Sequence, residues 1–195
     1  IRLALRAGEA DFPKWQEKLV KYEEITDKME YEIANFLNRI DRSVLSDQSN
    51  NKIRAMYRII GEMESLGDSG ESIARLLVRA REHSQKLSEK HIADIESMLD
   101  LISDAYGAMS FNLIHAERIR NIENAFTAEQ AINEKRSELR EAELKLVEEH
   151  PDEYFESVFY FDLIERLEEM GDYIIDISQP VAGKTRSSSF VTENA

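Results

Sequence analysis

The chain has 195 residues, enough for one domain or two small ones with a real core. Its 39 acidic residues against 25 basic ones leave a formal net charge of −14, which argues against general nucleic-acid binding and loose adsorption on anionic lipid and favours cations or basic partner surfaces. With no cysteine there are no disulfides or thiolate metal sites, and no apolar run approaches the roughly 20 residues that span a bilayer.

Only 7 Gly and 3 Pro interrupt a sequence dominated by helix-favouring residues. Residues 1–12 read as the last turns of a helix ended near Gly8. Residues 1–12 show no signal peptide, and because the chain starts with Ile rather than Met it reads as part of something longer. Pro13 suits the first turn of the next helix, with Asp11 as its cap. Trp15, Leu19, Tyr22, Ile25, Met29, Ile33, Phe36, Leu37 and Ile40 then recur at steps of three and four, predicting an amphipathic helix to about Leu45. Another side of it carries Glu23, Asp27 and Glu30. Residues 46–50 predict a turn with several capping side chains, and a third helix follows over about 51–83.

Ser88 is the expected cap of a fourth helix marked by Ile92, Ile95, Met98, Leu99, Ile102 and Met109. A fifth begins between Ala116 and Asn124 and ends near Glu149, with no strong stopper to place the break before it. His150-Pro151-Asp152 ends it. The sixth helix, about 152–179, is the most apolar, and Pro180 closes it. Residues 183–195 form a polar, Ser-rich tail expected to be mobile. The expected fold class is therefore all-α. Its organisation is a first three-helix unit over 1–85 with a truncated first helix, a second over 86–182, and the tail.

The third and sixth helices carry the chemistry. Residues 58–77 read RIIGEMESLGDSGESIARLL, with Glu64, Asp68 and Ser72 at four-residue steps and Gly67 beside Asp68. Residues 162–181 read DLIERLEEMGDYIIDISQPV, with Glu168, Asp172 and Asp176 at the same steps and Gly171 beside Asp172. Residues four apart lie on one helix face. A shift of 104 residues superposes Ile60, Glu64, Gly67, Asp68 and Ile73 on Ile164, Glu168, Gly171, Asp172 and Ile177. A weaker pair at a shift of 106 sets Glu23 and Asp27 of the second helix against Glu129 and Asn133 of the fifth. The chain thus reads as two related units, each able to gather four or more oxygen ligands from neighbouring antiparallel helices. Carboxylates so spaced suit hard and borderline cations. The alternative is plain: such pairs also occur on solvated helix faces of any acidic chain. A mid-helix Gly costs on the order of 1 kcal/mol against Ala, so close helix approach beside a ligand is its expected compensation.

Enzyme chemistry has little support. His83, His91, His115 and His150 fall near predicted helix ends or turns, and none forms a Glu-x-x-His motif. There is no Gly-rich phosphate loop, G-x-S-x-G or Cys nucleophile, and no catalytic residue is assigned.

Two tandem three-helix units with E-x-x-x-D/N pairs, and E-x-x-G-D on the third helix of each, resemble the PhoU-like phosphate-uptake regulators. KYEEITDKMEYEIANFL (21–37) followed by EMESLGDSGESIARLL (62–77) is closer still to the cytosolic C-terminal domain of bacterial sodium/phosphate cotransporter-type membrane proteins. The resemblance covers residues 1–181. It implies a six-helix PhoU-like domain regulating or assembling a sodium-coupled phosphate transporter on the cytoplasmic side of the inner membrane. The implied cofactors are divalent or trivalent metal ions (Fe, Zn, Mn, Mg or Ca). The implied ligands are Glu23, Asp27, Glu64 and Asp68 in the first unit, and Glu129, Asn133, Glu168 and Asp172 in the second, with Asp176 close by. The implied partner is the transmembrane portion of the same parent protein, with homo-oligomerisation a further option and no membrane insertion by these residues. Two departures stand out: Ser72 where the other repeat has Asp176, and neutral Asn133. Either is expected to weaken or empty a site.

Overall fold

The computed structural model describes residues 1–83, 87–119, 121–150 and 154–182. Among them are six α-helices and no strand: α1 (Arg2–Arg6), α2 (Phe12–Asn38), α3 (Asp47–Glu82), α4 (Glu89–Ile114), α5 (Glu123–Glu149) and α6 (Tyr154–Ser178). Short 3-10 turns stand at Arg42–Val44 and Gln179–Ala182. The Pro151-Asp152 stop signal and the 183–195 tail lie outside the described residues.

The helix ends follow local chemistry. Ser46 accepts from the Ser49 amide at the start of α3, and Ser88 does the same for His91 at the start of α4, satisfying backbone donors that have no partner within the helix. Asp11 holds the N-cap position of α2 without a side-chain capping bond; the amides of Asp11 and Phe12 donate instead to the Gly8 carbonyl, at 3.1 and 3.0 Å. Helix α2 stops at Asn38, short of the expected Leu45. Asp41 takes hydrogen bonds from the amide and hydroxyl of Ser43, at 2.9 and 2.6 Å, and such local bonds compete with helix propagation. The break between α4 and α5 falls at 115–122, where buried Asn112 and exposed Asn124 exchange amide hydrogen bonds of 3.1 and 3.2 Å across it.

Side-chain pairs fix the topology. Tyr57 donates to Asn38, and Gly67 abuts Thr26, so α2 and α3 are antiparallel. Glu143 meets Ser157, and Arg136 meets Glu168, so α5 and α6 are antiparallel as well. The hairpins join through α3 and α6, also antiparallel, with Arg58 on Asp176 near one end and Arg79 on Asp162 near the other. Helix α4 packs on both α5 and α6 and completes a three-helix bundle. Five-residue α1 is too short to hold itself. Arg2 pairs with Asp100, Arg6 with Glu96 at 2.5 Å, and Arg81 donates to the Ala7 carbonyl at 2.7 Å, pinning it to α4 and α3.

One core runs from Ile73, Leu76 and Leu77 of α3 through Ile95, Met98 and Ile102 of α4 to Leu163, Leu167 and Ile174 of α6. The cover is uneven. Met56 and Met63 of α3 are 46% and 36% exposed, whereas Tyr160 and Leu167, their counterparts at the 104-residue shift, are 0% and 1% exposed in the three-helix bundle. On α2 the apolar stripe Tyr22, Ile25, Met29, Ile33 and Phe36 is exposed too.

A buried polar network at the other end of the bundle went unnoticed in the sequence. Glu143 of α5, 1% exposed, takes a 2.6 Å hydrogen bond from the Ser157 hydroxyl and lies 3.1 Å from His91 Nε2. The His91 ring stacks on Tyr160 at 4.3 Å. Tyr160 donates to Asp94, and burial followed by the Asp94 charge pushes its hydroxyl far above the ordinary tyrosine value. The signal was available: Glu143 stands four residues from Leu139 on the apolar face of α5.

Candidate metal centre

Helix–helix contact places the acidic residues. Gly67 of α3 faces Thr26 of α2 so closely that a Cβ there would lie 2.2 Å from Thr26 Oγ1 and 3.0 Å from its Cβ. Gly171 of α6 faces Ile132 of α5 in the same manner, with a Cβ meeting Ile132 Cδ1 at 2.9 Å. Thr26 and Ile132 correspond at the 106-residue shift, and Gly67 and Gly171 at the 104-residue shift. The two hairpins are therefore built alike, each with a glycine seated between its acidic positions. Gly61 and Gly107 face open space.

In the first hairpin this contact brings Glu23, Asp27 and Asp68 together, with one carboxylate oxygen from each within 4.8 Å of the others. Glu64 and Glu30 adjoin them. The Glu23 carboxyl is held above its ordinary value by desolvation first, then by the charges of Asp27, Glu71, Asp68 and Glu24. The Glu64 carboxyl is raised by desolvation, then by Asp68, Asp27 and Glu30, against a small opposing hydrogen bond from Ser65. Like charges this close disfavour ionisation unless a cation neutralises them. Oxygens on a cation at 2.0–2.6 Å are at most about 4–5 Å apart, so this donor set can close on a hard or borderline ion with little movement. Glu71 and Glu30 join the field without having been picked as ligands; Glu30 falls on the acidic stripe of α2, and Glu71 lies one turn from Gly67.

The second hairpin differs. Asn133 Nδ2 donates to Glu129 Oε1 at 2.8 Å, and Arg136 Nη2 lies 3.3 Å from Glu168 Oε1. Glu168 is still raised, by desolvation and then Asp172, but Arg136 works against the shift. Among the described residues, the cluster of three carboxylates occurs in the first hairpin alone.

Asp176 of α6 and Ser72 of α3 lie on two helices that pack against each other. Buried Asp176 lies 3.3 Å from Arg58 of α3, whose guanidinium also donates to Gln179. At the 104-residue shift Arg58 corresponds to Asp162 and Asp176 to Ser72, and Ser72 and Asp162 line one polar crevice between α3 and α6. An aspartate at 72 would face Asp162 there. Ser72 also lines a neighbouring crevice with Asp68, Arg166 and Tyr173. No helix among the described residues is long and apolar enough to cross a membrane.

Comparison with protein-family models, curated proteins and solved structures returns no match for this chain.

Proposed function

We propose that this chain is a PhoU-like regulatory domain that binds metal ions through its first helical hairpin. Its setting is the cytoplasmic face of a sodium/phosphate cotransporter-type membrane protein, and it carries out no catalysis of its own. The observation that supports this reading is the convergence of Glu23, Asp27 and Asp68 from two helices held together at Gly67. A bound cation would take two ligands from α2 and one from α3. It would relieve the crowding that raises Glu23 and Glu64 and clamp the hairpin. Regulation would then consist of coupling ion occupancy to the stiffness of the α2/α3 hairpin.

Titration calorimetry with Mn²⁺, Zn²⁺, Fe²⁺, Mg²⁺ and Ca²⁺ tests this. Saturable binding of at least one ion by the wild type, abolished by Asp27→Asn/Asp68→Asn, is expected. Absence of binding for all five, with no thermal shift in either protein, would remove the metal from the account.

A second reading has its own observation. Tyr22, Ile25, Met29, Ile33 and Phe36 present an exposed apolar stripe at helical spacing, the form of surface that packs on another helix. Under this reading the chain is a helical adaptor, and charge-neutral replacement of the acidic pairs leaves partner binding intact. A metal-dependent hydrolase built on the same carboxylates ranks third, with no group assigned as its general base.

A further inference from the structure

The apolar side chains that α2 leaves in solvent stand in a symmetric order. Tyr22, Ile25, Met29, Ile33 and Phe36 are separated by steps of three, four, four and three, and each is between 37% and 66% exposed. At about 100° per residue they share an arc of roughly 80°. Reversing the helix about Met29 reproduces the stripe: Tyr22 exchanges with Phe36, Ile25 with Ile33, and Met29 with itself. Such a face is complementary to itself across a two-fold axis, where residue i meets j and j meets i.

Area and charge both permit the pairing. The register set by Gly67 against Thr26 and Tyr57 on Asn38 brings exposed Met63 level with the middle of the stripe and Met56 level with its end, on the same side of the hairpin. Taking about 200 Å² for a fully exposed large side chain, the exposed fractions of these seven residues amount to roughly 700 Å² per copy, or ~1,400 Å² for a pair, within the ~1,200–2,000 Å² of stable interfaces. Glu23, Glu24, Asp27 and Glu30 turn about 100–160° away from the centre of the stripe, so two chains of net charge −14 can bring these faces together without opposing their acidic clusters. The open edge of the stripe carries Lys28 and Glu32, 3.8 Å apart. Reversal about Met29 sets Lys28 of one copy within about 3 Å, along the axis, of Glu32 on the other, so two intermolecular pairs can form.

We propose that the exposed face of α2 seats a second copy of this chain, antiparallel across a two-fold axis at Met29, with Tyr22 on Phe36 and Ile25 on Ile33. This dimer does not depend on metal binding, and its failure would leave the metal reading untouched.

Light scattering across a dilution series should give twice the chain mass at high concentration and the single mass on dilution. Met29→Lys sets like charges against each other at the axis and should hold the chain at single mass with its helical circular dichroism intact. Tyr31→Lys, at a position 69% exposed on the opposite side of α2, should dimerise as the wild type does. The chain has no cysteine, so introduced ones read the register. Met29→Cys alone should oxidise to a covalent dimer, and Ile25→Cys mixed with Ile33→Cys should cross-link in preference to either alone, since a disulfide needs Cβ atoms ~3.5–4.5 Å apart. A single mass at every concentration overturns the proposal and leaves the face to a helix of another protein. A dimer that Met29→Lys leaves intact overturns it too, as does Ile25→Cys cross-linking to itself as readily as to Ile33→Cys.

Discussion

Alanine substitution of the helical glycines separates close helix approach from ordinary helix propensity. Gly→Ala in an open helix interior stabilises by about 1 kcal/mol, and this is the expectation at Gly61 and Gly107, where an added Cβ meets nothing. At Gly67 the same gain is opposed. Turning Thr26 removes the 2.2 Å contact with Oγ1 but breaks that hydroxyl's 2.8 Å bond to the Glu23 carbonyl. The Thr26 Cβ, fixed to its backbone, would still stand 3.0 Å from the new methyl, well inside the ~3.5–4.0 Å at which carbons rest. The helices must part, and overpacking of this kind costs ~1–3 kcal/mol. The net expectation for Gly67→Ala is a loss of about 1–2 kcal/mol, or ~2–8 °C at 2–4 °C per kcal/mol. Gly171→Ala meets the flexible Cδ1 end of Ile132, with Cγ2 at 3.3 Å, so its net cost should fall near zero to ~1 kcal/mol. Differential scanning calorimetry should thus rank Gly67→Ala below Gly171→Ala, wild type above both, and Gly61→Ala and Gly107→Ala highest. A Gly67→Ala protein as stable as Gly61→Ala would refute the close approach on which the site depends.

The pH dependence has a definite sign. Glu23, Glu64 and Glu168 are raised in the folded chain, so the native state holds extra protons between the unfolded carboxylate value, near 4.3, and the raised folded values. The stability they contribute is complete below that unfolded value and is lost as pH rises through the folded values. Chelator-treated protein should therefore melt at lower temperature as pH climbs across this window, and Glu64→Gln should flatten the slope. Glu96 and Asp41 are lowered by hydrogen bonds from Arg6 and Ser43 respectively, and their stabilisation is lost only below the unfolded value, outside the window. A melting temperature that rises across it, with or without Glu64, would count against the crowded cluster. In the buried network, His91→Ala should cost about 3 kcal/mol, because it strips Glu143 of its 3.1 Å partner in the protein interior; chemical denaturation measures it, and a loss under 1 kcal/mol would mean that the pair is not coupled.

Much of the fold was legible because helix periodicity and caps are local signals. Ser88 was found as a cap and Ser46 lay among several capping side chains of its turn, and the five long helices followed from apolar spacing. The end of α2 was missed because the Asp41–Ser43 turn outcompetes apolar residues that continue past it. Within the candidate site, the Glu23, Asp27 and Asp68 positions could be read from their four-residue steps and from the repeat. What could not be read was the sign of the neighbours. Arg136 and Glu30 stand in unremarkable charged stretches, and only the packing of α5 on α6 and α2 on α3 shows which carboxylates they address. Asp176 illustrates the same limit: its four-residue step from Asp172 suggested a further ligand, but one more turn along α6 brings it to Arg58. Glu143 was hidden by its type, since a lone acidic residue on a helix is ordinarily solvated.

The most direct test of the central claim is anomalous X-ray scattering from crystals of this chain soaked in Mn²⁺. The account predicts an anomalous peak within coordination distance of Glu23, Asp27 and Asp68, and none beside Glu168 and Arg136. A peak at the second hairpin, or density at neither one under saturating metal, would contradict it.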